Sequence, residues 1–399
     1  MELLGTVEGL TQRVRLPDSL RALREALDVH DSEKVVRELL KHAGIRANGG
    51  APHDIEVHDQ RFYRRVLSDG SLGLGESYMD GWWDCAALDE MVTKLLRSQI
   101  ESELKPSWRQ MAMIVQAKAL NLQSLSRAFE VGERHYDIGN DLYEAMLDRR
   151  MVYTSAYWRD AKTLDEAQEA KLDLVCRKIG ARPGMKILEL GCGWGSFAKF
   201  AAERYGAHVT GFTVSKEQAQ LGSERCKGLP VTIELEDYRR ARGTYDAVVS
   251  IGIMEHIGYK NYRTYMELAA SCLEPDGIAF VHTIGGNKSK KFVDPWYDKY
   301  IFPNALLPSM AQLSRAMEGL FVLEDVHNFG PDYDRTLMVW DENFEASWPS
   351  LRQKYGERFY RMWKFYLLSA AATFRSRHGQ LFQLVMTRPG RPQPDCRKL

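Results

Sequence analysis

The segment Glu189-Leu190-Gly191-Cys192-Gly193-Trp194-Gly195 constrains this chain more than any other. It follows the apolar run Lys186 to Leu190, which reads as a strand, and it leads into a run that reads as a helix. That is the context a ligand-binding turn requires. Glycines at alternate positions let the backbone turn sharply and approach a ligand with no Cβ in the way. A dinucleotide loop would space its glycines Gly-x-Gly-x-x-Gly and cradle a pyrophosphate. Gly-x-Gly-x-Gly, with Glu189 two residues ahead, suits S-adenosylmethionine instead. That ligand has no pyrophosphate; its ammonium can use the acid, and its carboxylate the backbone amides.

The surrounding pattern supports an α/β sheet. Thr163-x-x-Glu166 has the form of a capping box, and Leu172, Val175, Cys176 and Ile179 give the following helix one apolar face, ending at Gly180. Beyond the strand at Lys186, further strands are predicted at His208 to Val214, Val231 to Glu236, Tyr245 to Ser250, Gly277 to Thr283, Phe321 to His327 and Gln380 to Thr387. Helical stretches separate most of them. The expected fold is the doubly wound seven-stranded sheet of class I S-adenosylmethionine methyltransferases, with ligands at the carboxyl edge of the strands. A small, mainly helical N-terminal domain is expected over 1–104, a linker helix over 105–123, and the catalytic domain over 124–399. The linker, which mixes Trp108, Met111, Met113 and Ile114 with Arg109 and Lys118, could also lie on a membrane surface.

Composition excludes other classes. The 54 basic and 54 acidic residues balance, which argues against a nucleic-acid partner and against a strong overall pull towards anionic membranes. The six cysteines are scattered without a CxxC pair, so neither a disulfide framework nor a metal site is expected, and reduced thiols fit a cytoplasmic protein. No signal peptide and no membrane-spanning run is apparent, so any lipid contact is expected to be peripheral.

Candidate site residues cluster at predicted strand ends. The second strand lacks the acid that commonly holds a ribose; Ser215-Lys216-Glu217-Gln218 stands there, so that role falls to Gln218 or Thr213 unless Ser215 simply caps the helix. Asp237-Tyr238, after the third strand, is placed for an adenine contact. Glu255, after the fourth strand, and His282, in the fifth, put two ionisable groups beside the cofactor, as proton handling requires. Aromatic segments flank this edge: His135-Tyr136-Asp137, Tyr153 to Trp158, Pro295-Trp296-Tyr297, Tyr300 to Pro303 and Phe329 to Tyr333. They suit a hydrophobic or cation-stabilising pocket.

Together these segments resemble the cyclopropane-fatty-acyl-phospholipid synthases and, more distantly, the mycolic acid cyclopropane synthases. The likeness runs from about Phe129 to Arg388. It rests on HYDIGNDLY from His135, YTSAYW from Tyr153, LELGCGWGS from Leu188, TVSKEQ from Thr213, MEHIG from Met254, HTIG from His282, DPWYDKYIFPN from Asp294 and NFGPDYDRTLMVW from Asn328. The N-terminal stretch Gly75 to Trp83 also looks like the phospholipid-acting members.

The resemblance implies methylene addition from S-adenosylmethionine to a cis double bond of a membrane phospholipid. It implies a homodimer that touches the inner face of the membrane transiently, and a bicarbonate ion as base. The anion pocket carries over onto Ser155, Glu255, His282, Ile284 and Tyr333. The cofactor contacts carry over onto Tyr153, Thr154, Glu189, Gly191, Cys192, Gly193, Trp194, Gly195, Thr213, Ser215, Gln218, Asp237 and Tyr238. The chain departs from the family twice: Ser155 stands where many members have cysteine, and Ala370 where members carry a cysteine in a C-terminal helix predicted from Phe365 to Arg377. The second departure argues against a covalent cysteine mechanism.

Overall fold

The computed structural model describes residues 29–99 and 139–398. The predicted helix around Leu20, Leu23 and Leu27, the linker helix 105–123, and His135-Tyr136-Asp137 lie outside the described residues.

Among the described residues the N-terminal part holds four helices, α1 (Val29–His42), α2 (Arg61–Asp69), α3 (Ser71–Met79) and α4 (Leu88–Arg97), and a minimal antiparallel pair, β1 (Glu56–Val57) with β2 (Trp83–Asp84). A short helix, α5 (Asn140–Met146), and α6 (Leu164–Lys178) lead into the sheet. The capping box at Thr163 forms as its sequence predicts, with the Thr163 hydroxyl accepting from the Glu166 N–H and the Glu166 carboxylate reaching back.

All seven predicted strands are present: β3 (Lys186–Leu190), β4 (His208–Thr213), β5 (Val231–Leu235), β6 (Tyr245–Ile251), β7 (Leu273–Gly286), β8 (Val322–Asn328) and β9 (Gly379–Thr387). Their order is β5-β4-β3-β6-β7-β9-β8. The first five run parallel, whereas β9 is antiparallel to both neighbours. The fifth strand outruns its predicted length at both ends; towards Gly286 this is because its antiparallel pairing with β9 continues that far. Alternate residues face opposite sides. Ile187, Val209, Ala247, Val249 and Phe280 pack with Leu172, Val175 and Phe197, while Leu188, Leu190, Val248, Val281 and Leu384 pack under the opposite layer.

The helices between strands are α7 (Ser196–Tyr205), α8 (Lys216–Arg225), the short α9 (Met254–Ile257), α10 (Tyr262–Ser271), α11 (Pro295–Tyr300) and α12 (Met310–Met317). The chain then forms α13 (Gly330–Tyr355) and α14 (Glu357–Arg375) before β9. The C-terminal helix therefore starts and stops earlier than predicted, because Gly356, at φ +75°, parts it from α13 and Ser376 closes it.

α4 and α3 pack on α14, and one apolar cluster runs without a break from Phe62, Trp83 and Met91 to Tyr143, Trp340 and Trp363. Gly75 lets α3 also approach α11: a Cβ there would lie 2.3 Å from the buried Trp296 ring. Beside it Glu76 accepts from Lys299 Nζ (2.6 Å), Tyr300 Oη (2.8 Å) and Arg65 Nη2 (2.6 Å). No described helix is long and apolar enough to cross a membrane.

Candidate active site

The glycine turn takes backbone conformations that side chains resist. Gly191, Gly193 and Gly195 have φ of +78°, +54° and +73°. Cys192 N–H donates to the Phe212 carbonyl of β4 (2.8 Å), and Gly195 N–H returns to the Cys192 carbonyl (2.9 Å). Among the described residues Gly195 offers no side-chain cap to α7, and within its first turn Ala198 N–H bonds the Glu189 carboxyl, which leaves the earlier amides of the turn to a ligand. A Cβ on Gly193 would meet no described protein atom within 4 Å, which is the room a bound molecule needs. Gly195 itself is turned towards Ile233 and Cys226 and does not line the cavity.

Glu189, at the end of the same strand, is 2% exposed, and its Oε2 has no hydrogen-bond partner among the described residues. Burial pushes its carboxyl up to about 8, against the opposing pull of Lys171. Lys171 on α6 is fully buried, donates to Thr154 Oγ1 (2.7 Å), and is pushed down to about 7 by burial. An unsatisfied buried carboxylate oxygen beside the turn fits the ammonium of S-adenosylmethionine.

The end of β4 is settled in part. Ser215 caps α8, its Oγ accepting from Gln218 N–H (3.3 Å), and it stays outside the cavity. Thr213 and Gln218 line the cavity, with Thr213 Oγ1 donating to Gln218 Oε1 (2.9 Å). Asp237 and Tyr238 line it as well. The Asp237 carboxylate is held by Arg239 Nε (2.8 Å) and Nη2 (2.9 Å), while the buried Tyr238 hydroxyl has no partner among the described residues.

One cavity of about 270 Å³ joins this cofactor edge to the second constellation. Glu255 sits in α9, where its Oε1 accepts from Ile284 N–H (2.6 Å) and its Oε2 has no partner among the described residues. Burial raises its carboxyl to about 7. His282, fully enclosed on β7, likewise leaves Nε2 without a described partner, and burial holds the ring well below the usual histidine range. Two orphaned polar atoms, a carboxyl oxygen and an imidazole nitrogen, thus belong to residues that line one cavity, as a small polar ligand between them would require.

Opposite lies an aromatic wall. Tyr333 stacks on Phe374 (4.6 Å between centroids), and Tyr153 and Tyr366 share a hydrogen bond of 2.9 Å between hydroxyls. Phe302 and Pro303 close the insertion side. Ser155 lies just behind: its hydroxyl donates to the Ala156 carbonyl (3.0 Å), and it is not part of the cavity wall. Tyr157, Trp158, Trp296 and Phe329 are buried packing outside the cavity.

The candidate site residues did not include Lys171, His256 or Tyr366, all of which line the cavity. Tyr366 could have been found from its place on the apolar face of a C-terminal helix. His256 stands inside MEHIG beside Glu255, whereas Lys171 carries no local signal, since only the fold buries it.

A parallel sheet reversed by one antiparallel strand, with a glycine turn and an acid at its carboxyl edge, defines a class I S-adenosylmethionine-dependent methyltransferase, and the chain is an enzyme of that class. More narrowly, it belongs to the mycolic acid cyclopropane synthetase family, whose model matches residues 123–384. It is similar to the cyclopropane-fatty-acyl-phospholipid synthase of Escherichia coli K12, with 50% identity over 355 residues, 89% of this chain and 93% of the relative. It is 32% identical over 362 residues to the tuberculostearic acid methyltransferase UfaA1 of Mycobacterium tuberculosis, covering 82% of each chain. The mycolic acid cyclopropane synthase CmaA1, solved with SAH and CTAB, superposes with a TM-score of 0.62 at 30% identity over 65% of this chain and 98% of its own.

Proposed function

We infer that the chain adds a methylene from S-adenosylmethionine across the cis double bond of an unsaturated acyl chain in a membrane phospholipid. The observation that carries this reading is the pair of unsatisfied atoms, Glu255 Oε2 and His282 Nε2, in the same cavity as the glycine turn. A plain amine or oxygen methylation needs no such pair facing an aromatic wall. The name of the Escherichia coli relative, at 50% identity over nearly the whole chain, supports the same substrate class.

An alkene is a weak nucleophile, so transfer depends on alignment and on excluding water. Glu189 and the turn from Gly191 to Gly195 hold the donor. Tyr153, Tyr333, Tyr366 and Phe302 keep the cavity apolar, and their ring faces suit the cation left when the alkene carbon takes the methyl group. Ring closure then needs a proton removed from that methyl. A bicarbonate ion held by Glu255, His282 and Tyr333 would supply the base. Glu255 Oε2 accepts and relays the proton, while His282 Nε2 donates a hydrogen bond to the anion. Ser155 would join only by turning its hydroxyl away from Ala156.

We further propose that residues 1–104 form an accessory domain joined by the 105–123 linker to the catalytic domain 124–399. The protein works as a homodimer that meets the cytoplasmic membrane face peripherally. The test is incubation of the purified chain with S-adenosylmethionine and vesicles of unsaturated phospholipid. The acyl chains should gain one methylene, and NMR should show ring protons. A methyl or exomethylene branch would instead align the chain with relatives such as UfaA1 and overturn the proposed outcome.

A further inference from the structure

His282 is expected to act as a donor, yet nothing in its own strand decides which ring nitrogen carries the proton. Burial holds the ring neutral, with Lys171, Lys178 and His327 all acting against its charging, and Glu255 shares its cavity. A neutral imidazole has a single N–H, so the tautomer determines whether the cavity sees a donor or an acceptor.

The neighbouring strand supplies the missing constraint. In the antiparallel β7–β9 ladder His282 lies directly opposite Gln383, so both side chains stand on the same face. Gln383 is fully buried, and its carboxamide Nε2 lies 3.3 Å from His282 Nδ1. Among the described residues no other group bonds to either ring nitrogen: Nε2 is orphaned and faces the cavity that Glu255 Oε2 also faces. With the amide donating, Nδ1 must be the bare acceptor and Nε2 must carry the hydrogen. The reverse arrangement would set two N–H groups, Gln383 Nε2 and His282 Nδ1, against each other at 3.3 Å.

We propose that Gln383 is a positioning residue that fixes His282 as its Nε2–H tautomer, so that the ring presents a donor to the catalytic cavity. This rests on the reading of His282 as a hydrogen-bond donor to the bound anion. The role also explains an otherwise costly choice: a polar carboxamide at a fully buried strand position, with its Oε1 unsatisfied by any described residue. A structural filler there would be apolar, as Leu381, Leu384 and Val385 around it are.

The experiment is nitrogen-15 NMR of the full chain labelled at histidine, with the His282 signals assigned by their loss in His282→Asn. In the unsubstituted protein the shifts should show Nε2 protonated and Nδ1 bare. Gln383→Glu places an acceptor at Nδ1 and should move the proton there, leaving Nε2 bare. Turnover should fall by about 10²-fold, the usual cost of losing one donor to a developing or bound anion. Cofactor affinity should stay within about threefold, because the donor acts only on the reacting end. Gln383→Leu should give mixed tautomers and a smaller loss.

Nδ1 protonated in the unsubstituted protein, or a tautomer unchanged in both variants, overturns the proposal. Should Gln383→Glu fail to fold, the unsubstituted and Gln383→Leu spectra still decide it. A tautomer that moves while turnover does not would support the positioning role and instead overturn the reading of His282 as the anion's donor.

Discussion

Replacing Glu255 with glutamine separates the chemical end of the cavity from its cofactor end. The substitution is nearly isosteric. The introduced carboxamide can keep the 2.6 Å bond from Ile284 N–H through its carbonyl oxygen, so α9 and the end of β7 stay in register. What disappears is the ionisable oxygen at the orphaned Oε2 position. Loss of a positioned acid–base group costs about 10²–10⁴ in rate, so turnover should fall by that factor.

Stability should move the other way. Burial raises the Glu255 carboxyl from 4.5 to about 7, so the native state holds a proton between those values that the unfolded chain has released. The associated stability is present below pH 4.5 and is lost as pH rises through about 7. A shift of that size corresponds to an upper bound of about 3 kcal/mol, which the glutamine variant should recover in part above neutral pH. Turnover of the unsubstituted enzyme should likewise rise as pH climbs through about 7 and Glu255 ionises, and that step should vanish in the variant. The assays are methylene incorporation into vesicles, calorimetric titration with S-adenosylmethionine, and denaturant melts from about pH 5 to 9, a range that brackets the raised carboxyl. A collapse of cofactor affinity with turnover per bound cofactor preserved would refute the assignment, making Glu255 a cofactor ligand.

Other outcomes follow from the same geometry. Glu189→Gln should weaken S-adenosylmethionine binding by about tenfold or more, since a charged partner is lost from a buried ammonium contact; an unchanged affinity would remove Glu189 from the site. Gly193→Ala imposes a side chain at φ +54° and fills the ligand's space, so it should cost about 1–2 kcal/mol of stability and abolish cofactor binding; a variant that binds normally would place the cofactor elsewhere. Lys171→Met should stabilise the apo-enzyme near pH 7. Burial lowers the lysine from 10.5 to about 7, so its penalty is absent above 10.5 and grows as pH falls through that interval. Thermal melts of variant and unsubstituted protein should therefore converge at alkaline pH; a gap constant with pH would show that packing, not charge, is responsible.

Periodicity and turn chemistry carried much of the architecture into plain view. Strands such as β3, β6 and β9 carry short apolar runs near turn residues, and the capping box at Thr163 marks a helix start by local hydrogen bonding alone. The turn from Glu189 to Gly195 is legible for the same reason: left-handed backbone demands glycine whatever surrounds it. Strand ends were less certain, as β7 shows, because their length depends on how far a partner strand continues.

The cavity's electrostatics were decided by tertiary packing. Lys171 stands on a helix whose polar residues look solvated in sequence; burial against the sheet turns it into a near-neutral amine beside Glu189. Sequence left the ribose role to Gln218 or Thr213 unless Ser215 capped the helix; the fold made Ser215 the cap and put Thr213 and Gln218 in the cavity wall. Gln383 had no local signal at all. It meets His282 only because an antiparallel strand, formed almost at the chain's end, enters the sheet beside β7. Local sequence determines what a backbone segment can do by itself, within a few residues. Which charges lose water, and which side chains face one another across strands far apart in the chain, depends on long-range pairing that no local pattern encodes.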